Sequence, residues 1–122
     1  MWTCQEAAAQ GIAADTIAAA LNARYMSSTK DDRVAASKIL SGPTDMPDVD
    51  KSQLIDDVRQ ALYAAKICSY AQGLNLIRAA AKDKSWTVDL GSCARIWRGG
   101  CIIRAKFLDR CVVWHDACVV VV

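Results

Sequence analysis

The stretch from Asp50 to Lys82 is DKSQLIDDVRQALYAAKICSYAQGLNLIRAAAK, which contains no proline and one glycine. Asp50 with Gln53 resembles a capping box, in which two side chains satisfy backbone donors at the start of a helix. Apolar residues recur at helical spacing in the first turns, where Leu54, Ile55, Val58 and Leu62 are expected to point inward. The pattern predicts one helix at about 50–82, roughly 50 Å long at 1.5 Å per residue.

The middle of this helix is apolar on most sides. From Gln60 to Ile77 the only charged residue is Lys66. A helix that is apolar nearly all round is normally buried on most sides. The rest of the 122-residue chain offers only short segments to cover it. We therefore expect either a larger parent protein or a dimer.

Weaker helical patterns flank the long helix. Residues 3–10 predict a short helix that ends at Gly11, and residues 13–26 predict a second one with Ile17 and Leu21 on one face. The other assignments are a helix at 28–40 with Ser27 or Ser28 as its N-cap, a loop at 41–48, a helix at 90–98, a break at Gly99 and Gly100, and a resumed helical pattern at 101–110.

The last twelve residues differ in character from the rest. Residues 111–122, CVVWHDACVVVV, are rich in β-branched side chains and nearly uncharged, which is typical of a strand or an aggregation-prone tail. The predicted fold class is therefore all-α, a partial helical bundle with one long central helix and an irregular C-terminal tail.

Composition excludes several classes of protein. Hydrophobic residues make up 53% and charged residues 23%, which argues against disorder, and the net charge of +2 is too small to imply a polyanionic partner. No apolar run is long enough to span a membrane, and the N-terminus lacks the pattern of a secretory signal. The six cysteines include no close pair, which favours a reduced intracellular protein.

Several longer strings follow one another along the chain. They are WT at 2–3, ARYMSSTKDDRVAASK at 23–38, DVRQALY at 57–63, KICSYAQG at 66–73, and WRGGCIIR at 97–104 followed by FL at 107–108. On these strings the chain resembles the all-helical domain of the 6-phosphogluconate dehydrogenase family. The resemblance covers residues 2–110, so we expect 1–110 to be a partial helical domain and 111–122 a non-matching valine-rich tail.

The resemblance implies an activity for the parent enzyme. The family oxidises 6-phosphogluconate with NADP, and the product loses carbon dioxide to give ribulose 5-phosphate in the pentose phosphate pathway. Members form homodimers through the helical domain. Their general base and general acid lie upstream of the matching strings, so we expect this chain to hold no catalytic residue, to bind no NADP and to be inactive alone.

One substrate residue follows from the resemblance. Arg24, in ARYMSS, matches the arginine that holds the substrate phosphate, and a guanidinium presents a planar fork of donors suited to a phosphate dianion. Asn22 and Thr29 depart from the aromatic residue and the leucine usual in the family at these places. Arg24 also lies seven residues after Ile17, on the apolar face of its predicted helix.

Three other candidate sites are disfavoured. Cys111, His115 and Cys118 would share a helix face, but three ligands in a strand-like tail do not make a structural zinc cage. Few aromatic side chains, and a net charge of only +2, accompany the basic residues Arg95, Arg98, Arg104, Lys106 and Arg110, which disfavours a nucleic-acid surface. Lys66 is more typical of a packed stem with a solvated amine than of a catalytic base. No GxGxxG motif is present.

A different class of function stays open beside the enzyme. The chain would then be a non-catalytic helical interaction or dimerisation module. In either case we expect a cytoplasmic location, with a plastid as the alternative for the parent, and no nucleic-acid or membrane partner.

Overall fold

A computed structural model of the chain describes residues 1–45 and 47–111. Within these residues every regular element is a helix, which confirms the predicted all-α class. In chain order the elements are α1 (Trp2–Gln10), α2 (Asp15–Ser28), α3 (Lys30–Ala36), α4 (Lys51–Asp83), α5 (Leu90–Arg98) and α6 (Leu108–Cys111).

Helix α4 confirms the predicted long helix to within one residue at each end. The Asp50 carboxylate accepts hydrogen bonds from the backbone N–H groups of Ser52 at 2.8 Å and Gln53 at 3.4 Å. These are two of the four donors that a helix start leaves without an internal partner. The Gln53 side chain does not return to the cap and instead donates to Asp57. Only half of the expected capping box is therefore formed.

The first helix ends as predicted. Gly11 follows α1 with φ +65°, a left-handed conformation that glycine adopts without steric cost, and its N–H bonds back into the last turn. Helix α2 then begins at Asp15, two residues later than predicted, and continues to Ser28. Ile17 and Leu21 are both half-buried, as their shared face suggests.

The third helix is shorter than predicted, so the prediction of 28–40 is wrong at both ends. Ser27 and Ser28 do not cap α3. Their hydroxyls point back and donate to the carbonyls of Arg24 and Tyr25, because serine readily bonds to the preceding turn. Helix α3 begins only after Thr29 and gives way to turns beyond Ala36.

The helix predicted at 101–110 is also wrong. Gly99 ends α5, Gly100 has φ +148°, and turns occupy most of the segment until the single turn of α6. Two adjacent glycines disfavour the helical conformation, so α5 does not continue through them. The segment that follows is too short to form a stable helix by itself. Packing decides its path instead, since the Tyr70 hydroxyl donates to the carbonyl of Ile103.

The core lies around the C-terminal half of α4. Helices α1, α2 and α5 pack against that helix, and α6 packs against α5. The buried positions among the described residues are Ala7, Ala71, Gln72, Leu74, Leu76, Ala81, Gly91, Ala94 and Leu108. Tyr70 and Phe107 pack at the edge of the Ala94–Leu108 cluster, with their rings edge to face at 5.3 Å.

The N-terminal half of α4 is largely exposed. Leu54, Ile55, Val58 and Leu62, predicted to point inward, are 48–58% exposed. The amphipathic pattern is present, but the described part of the chain leaves these four side chains about half exposed. The expectations for 111–122, including a strand-like tail and the Cys111, His115 and Cys118 trio, concern side chains outside the described residues.

Candidate functional site

Arg24 lies in the C-terminal half of α2, and its side chain is exposed. Within the part of the chain that the structure describes, its guanidinium makes no hydrogen bond or ion pair, so its fork of donors faces solvent. Its own carbonyl accepts a hydrogen bond from the Ser27 hydroxyl at 2.8 Å. The backbone at Arg24 is therefore fixed while the charged group remains available to a ligand.

A second arginine, which sequence reasoning did not single out, holds the end of α2. The Arg33 guanidinium donates to the carbonyl of Met26 at 3.1 Å and to that of Ser27 at 3.1 Å. The Thr29 hydroxyl also donates to Met26. These bonds satisfy carbonyls that the helix end leaves unpaired, and they place a cation at the negative end of the helix dipole. Arg33 therefore stiffens the segment that carries Arg24.

The start of α2 is held from another helix. Gln72, buried on α4, accepts hydrogen bonds from the backbone N–H groups of Thr16 at 3.1 Å and Ile17 at 3.4 Å. Its amide N–H donates to the Thr16 hydroxyl at 3.3 Å. The sequence shows Gln72 as a neutral amide within the apolar stretch that follows Lys66, which marks it as unusual. Nothing in the sequence indicates that its partner is α2.

A groove of about 1050 Å³ lies beside α4 and is mostly apolar. Its walls come from α1, α2, α4, α5 and the turns before α6, with Glu6, Lys66 and Arg104 as the charged residues among them. Arg24 is not among the lining residues. The structure therefore does not bring Arg24 and Lys66 into one site, and a phosphate at Arg24 would lie outside the groove.

Comparison with known proteins identifies the family. The family model described as "6-phosphogluconate dehydrogenase, C-terminal domain" matches residues 1–117. The chain belongs to the 6-phosphogluconate dehydrogenase family. This finding confirms the resemblance drawn from the sequence strings.

Three named relatives support the same family assignment. The chain is 59% identical over 117 residues to "6-phosphogluconate dehydrogenase, decarboxylating 1" of Oryza sativa subsp. japonica, a match that covers 94% of this chain and 24% of that protein. It is 60% identical over 120 residues to the protein of the same name from Spinacia oleracea, covering 94% of this chain and 25% of that protein. It is 51% identical to the "decarboxylating" relative from Synechococcus elongatus, covering 95% and 25%.

The match is long within this chain but short within its relatives. The chain spans about a quarter of the length of the curated relatives it matches. Arg24, Arg33 and Gln72 all lie within the segment that the family model covers. The compartment named for the relatives differs: some carry "chloroplastic" in their names and others do not.

The basic residues of the C-terminal half do not form one stripe. Arg95 and Arg98 are on α5, whereas Arg104 and Lys106 are on turns. Arg98 forms an ion pair with Asp109, and Arg95 donates to the Ser92 hydroxyl. Because the segment after α5 is not helical, the described basic residues do not share one helix face.

The described residues contain free cysteines and no metal-binding cluster. Cys4, Cys68, Cys93 and Cys101 are free and half-buried. The described residues contain no cluster of histidine, cysteine and carboxylate side chains that could hold a metal ion. Among the same residues, no helix combines the length and apolar character needed to cross a membrane.

Proposed function

We propose that this chain is part of the helical domain of an NADP-dependent, decarboxylating 6-phosphogluconate dehydrogenase of the pentose phosphate pathway, and that Arg24 binds the phosphate of 6-phosphogluconate. The family match over residues 1–117 is the observation that carries the activity. The free guanidinium on a helix held at both ends supports the role of Arg24.

The chemistry of Arg24 suits a phosphate. A guanidinium stays charged at all physiological pH values and donates two parallel hydrogen bonds to a phosphate or carboxylate. An arginine already paired with a carboxylate would have to break that pair first, whereas the side chain of Arg24 has no such partner among the described residues. Its backbone is ordered before the ligand arrives, which reduces the entropy lost on binding.

The residues of this chain do not fit NADP in the usual dinucleotide mode. That mode requires a strand, a GxGxxG turn and the N-terminus of a helix. The sequence contains no such motif, and Gly99 and Gly100 follow a helix C-terminus rather than a strand. NADP therefore belongs to the rest of the parent enzyme in this proposal, and no catalytic step is assigned to residues of this chain.

A second candidate function is an interaction or dimerisation module. The exposed apolar face on the N-terminal half of α4, formed by Leu54, Ile55, Val58 and Leu62, favours it. Such a face is normally covered in a folded protein. We propose that in the parent this half of the helix packs within a homodimer. We also propose a cytoplasmic location, with the plastid as the alternative suggested by the chloroplastic relatives.

A chimeric enzyme tests the enzymatic proposal. In it, residues 1–117 replace the matched segment of the rice relative. Reduction of NADP with 6-phosphogluconate by the chimeric enzyme, with none by the isolated chain, is expected. General acid–base catalysis needs the positioned groups themselves, which the family places outside this segment. A folded, dimeric chimera without activity would favour the interaction module. Turnover by the isolated chain would refute the assignment of the chemistry to other segments.

A further inference from the structure

Gln72 stands out because it is the polar side chain in the buried core of the described residues, 8% exposed. Buried amides are normally fully hydrogen-bonded, since an unpaired one loses its water without compensation. Among the described residues, Gln72 finds its hydrogen-bond partners in the first turn of α2, 55 and 56 residues away in the sequence.

The bonds of Gln72 replicate those of a helix cap. Helix α2 begins at Asp15, and the residue before it, Ala14, has no side chain that could cap the helix. An ordinary capping side chain accepts from the N–H groups of the second and third helical residues. In α2 these residues are Thr16 and Ile17, the two donors that the Gln72 carbonyl oxygen accepts from.

Helix α2 depends on this contact more than a well-buried helix would. None of its residues is fully buried, so apolar packing holds it weakly against α4. The two backbone N–H donors fix the amide orientation, because only the carbonyl oxygen of Gln72 can accept from them, and the amide N–H then donates to the Thr16 hydroxyl. At the other end of α2, Arg33 holds the carbonyls of Met26 and Ser27.

We infer that Gln72 is the N-terminal cap of α2, supplied by α4, and that it acts as a positioning residue for Arg24. The first half of this inference stands on the hydrogen bonds alone. The second half rests on the proposed function, in which Arg24 binds the substrate phosphate. Gln72 fixes the start of α2 against α4, so it sets where the far end of the same rigid helix presents Arg24.

Amide hydrogen exchange of the 122-residue chain tests the cap. Gln72→Met keeps the size of the side chain but removes its hydrogen bonds. It should speed exchange at Thr16 and Ile17 by roughly ten- to a hundredfold. Exchange at Ala80 and Ala81 in the last turns of α4 should change little. Gln72→Glu should restore protection, because a carboxylate accepts from the same donors and is favoured at a helix N-terminus.

Gln60→Met is the matched control. Gln60 is also a glutamine of α4, but it is exposed and bonds to Asp56 within its own helix. It should leave exchange at Thr16 and Ile17 unchanged. The cap is overturned if Gln72→Met leaves these two amides as protected as before, if it speeds exchange equally in every helix, or if Gln72→Glu behaves like Gln72→Met.

The chimeric enzyme tests the positioning role. Gln72→Met should raise KM for 6-phosphogluconate several-fold with a smaller effect on kcat, and Gln72→Glu should restore KM. If Arg24→Ala raises KM while Gln72→Met does not, the positioning role is overturned and the proposed role of Arg24 stands. If neither variant changes KM although exchange at Thr16 rises, the cap stands and the binding role of Arg24 is overturned together with the positioning role.

Discussion

The Tyr70 hydroxyl donates a hydrogen bond to the backbone carbonyl of Ile103, across 33 residues of sequence. The Tyr70 ring also packs edge to face against Phe107 and Trp97. Tyr70 therefore holds the turns after α5 against α4 with both apolar contact and a hydrogen bond. This relationship explains why 101–107 is ordered without being helical.

Removing the Tyr70 hydroxyl should destabilise the chain modestly. Tyr70→Phe keeps the ring contacts and loses one hydrogen bond of a half-buried group, which typically costs about 0.5–1.5 kcal/mol. Urea unfolding at pH 8 measures the difference. Tyr63→Phe is the control, because Tyr63 packs on Phe107 but its hydroxyl makes no hydrogen bond within the described residues. Equal stability of Tyr70→Phe and the parent chain would contradict the assigned bond.

The same tyrosine predicts a pH dependence. Burial raises the pKa of Tyr70 above its ordinary value, the nearby Cys101 raises it further, and a hydrogen bond with Trp97 opposes them. A raised folded-state pKa means that the stabilisation is complete below the unfolded pKa of about 10 and is lost as pH rises through the folded value. The stability gap between the parent chain and Tyr70→Phe should narrow above pH 10. A constant gap up to pH 11 would contradict the raised pKa.

Arg24 predicts a binding defect in the chimeric enzyme. Arg24→Ala should raise KM for 6-phosphogluconate roughly ten- to a hundredfold, because losing a hydrogen bond to a charged group costs about 1.5–3 kcal/mol. Arg24→Lys should rescue only in part, since an ammonium lacks the planar fork. Arg78→Ala, which removes an exposed arginine that bonds to Asn75 within α4, should leave KM unchanged. An unchanged KM in Arg24→Ala would remove Arg24 from the site.

The Asp50 cap predicts local fraying. Asp50→Ala should cost about 1 kcal/mol of local helix stability and speed amide exchange at Ser52 and Gln53 roughly fivefold. The first turns of α4 are uncovered, so global urea unfolding should change much less. Asp50→Asn should retain most of the protection, and Asp48→Ala, in the preceding loop, should have no effect. Global destabilisation by Asp50→Ala would mean that these turns are packed after all.

The uncovered half of α4 predicts self-association of the isolated chain. At tens of micromolar it should dimerise, aggregate or bind a hydrophobic dye, because exposed apolar patches beyond a few hundred Å² are unusual in soluble monomers. Val58→Lys combined with Leu54→Lys should weaken association, whereas Ile39→Lys, which changes an exposed apolar residue off the helix, should not. A compact monomer by sedimentation, without dye binding, would contradict the prediction.

Deletion of 111–122 tests the valine-rich tail separately. These residues form an uncharged, β-prone stretch at their end, and such segments promote aggregation. Their removal should reduce aggregation without abolishing association, because the apolar face of α4 remains. Light scattering and sedimentation of the two lengths distinguish the effects. Loss of all association on deletion would assign it to the tail.

Sequence reasoning was most accurate where one residue acts on its immediate neighbours. It correctly placed the start of α4 at Asp50, the end of α1 at Gly11 and the helix at 90–98. It failed at α3, where the serine hydroxyls turned back to α2 rather than forward. For the candidate site it supplied Arg24 but missed Arg33 and Gln72. The partners of Gln72 lie 55 and 56 residues away, and those of Arg33 are backbone carbonyls exposed only because α2 ends at Ser28.

The sequence by itself determined the helical class, the long helix and the family, because caps, helix breakers and shared strings act or are recognised over a few consecutive residues. Only the tertiary structure decided which half of α4 is covered, which helix Gln72 caps and where the turns after α5 lie. The pairings of Gln72 with Thr16 and of Tyr70 with Ile103 join residues 56 and 33 positions apart. Each pairing forms only when the intervening residues close into a loop. The entropic cost of that closure must be offset by tertiary contacts, which a local sequence pattern does not reveal.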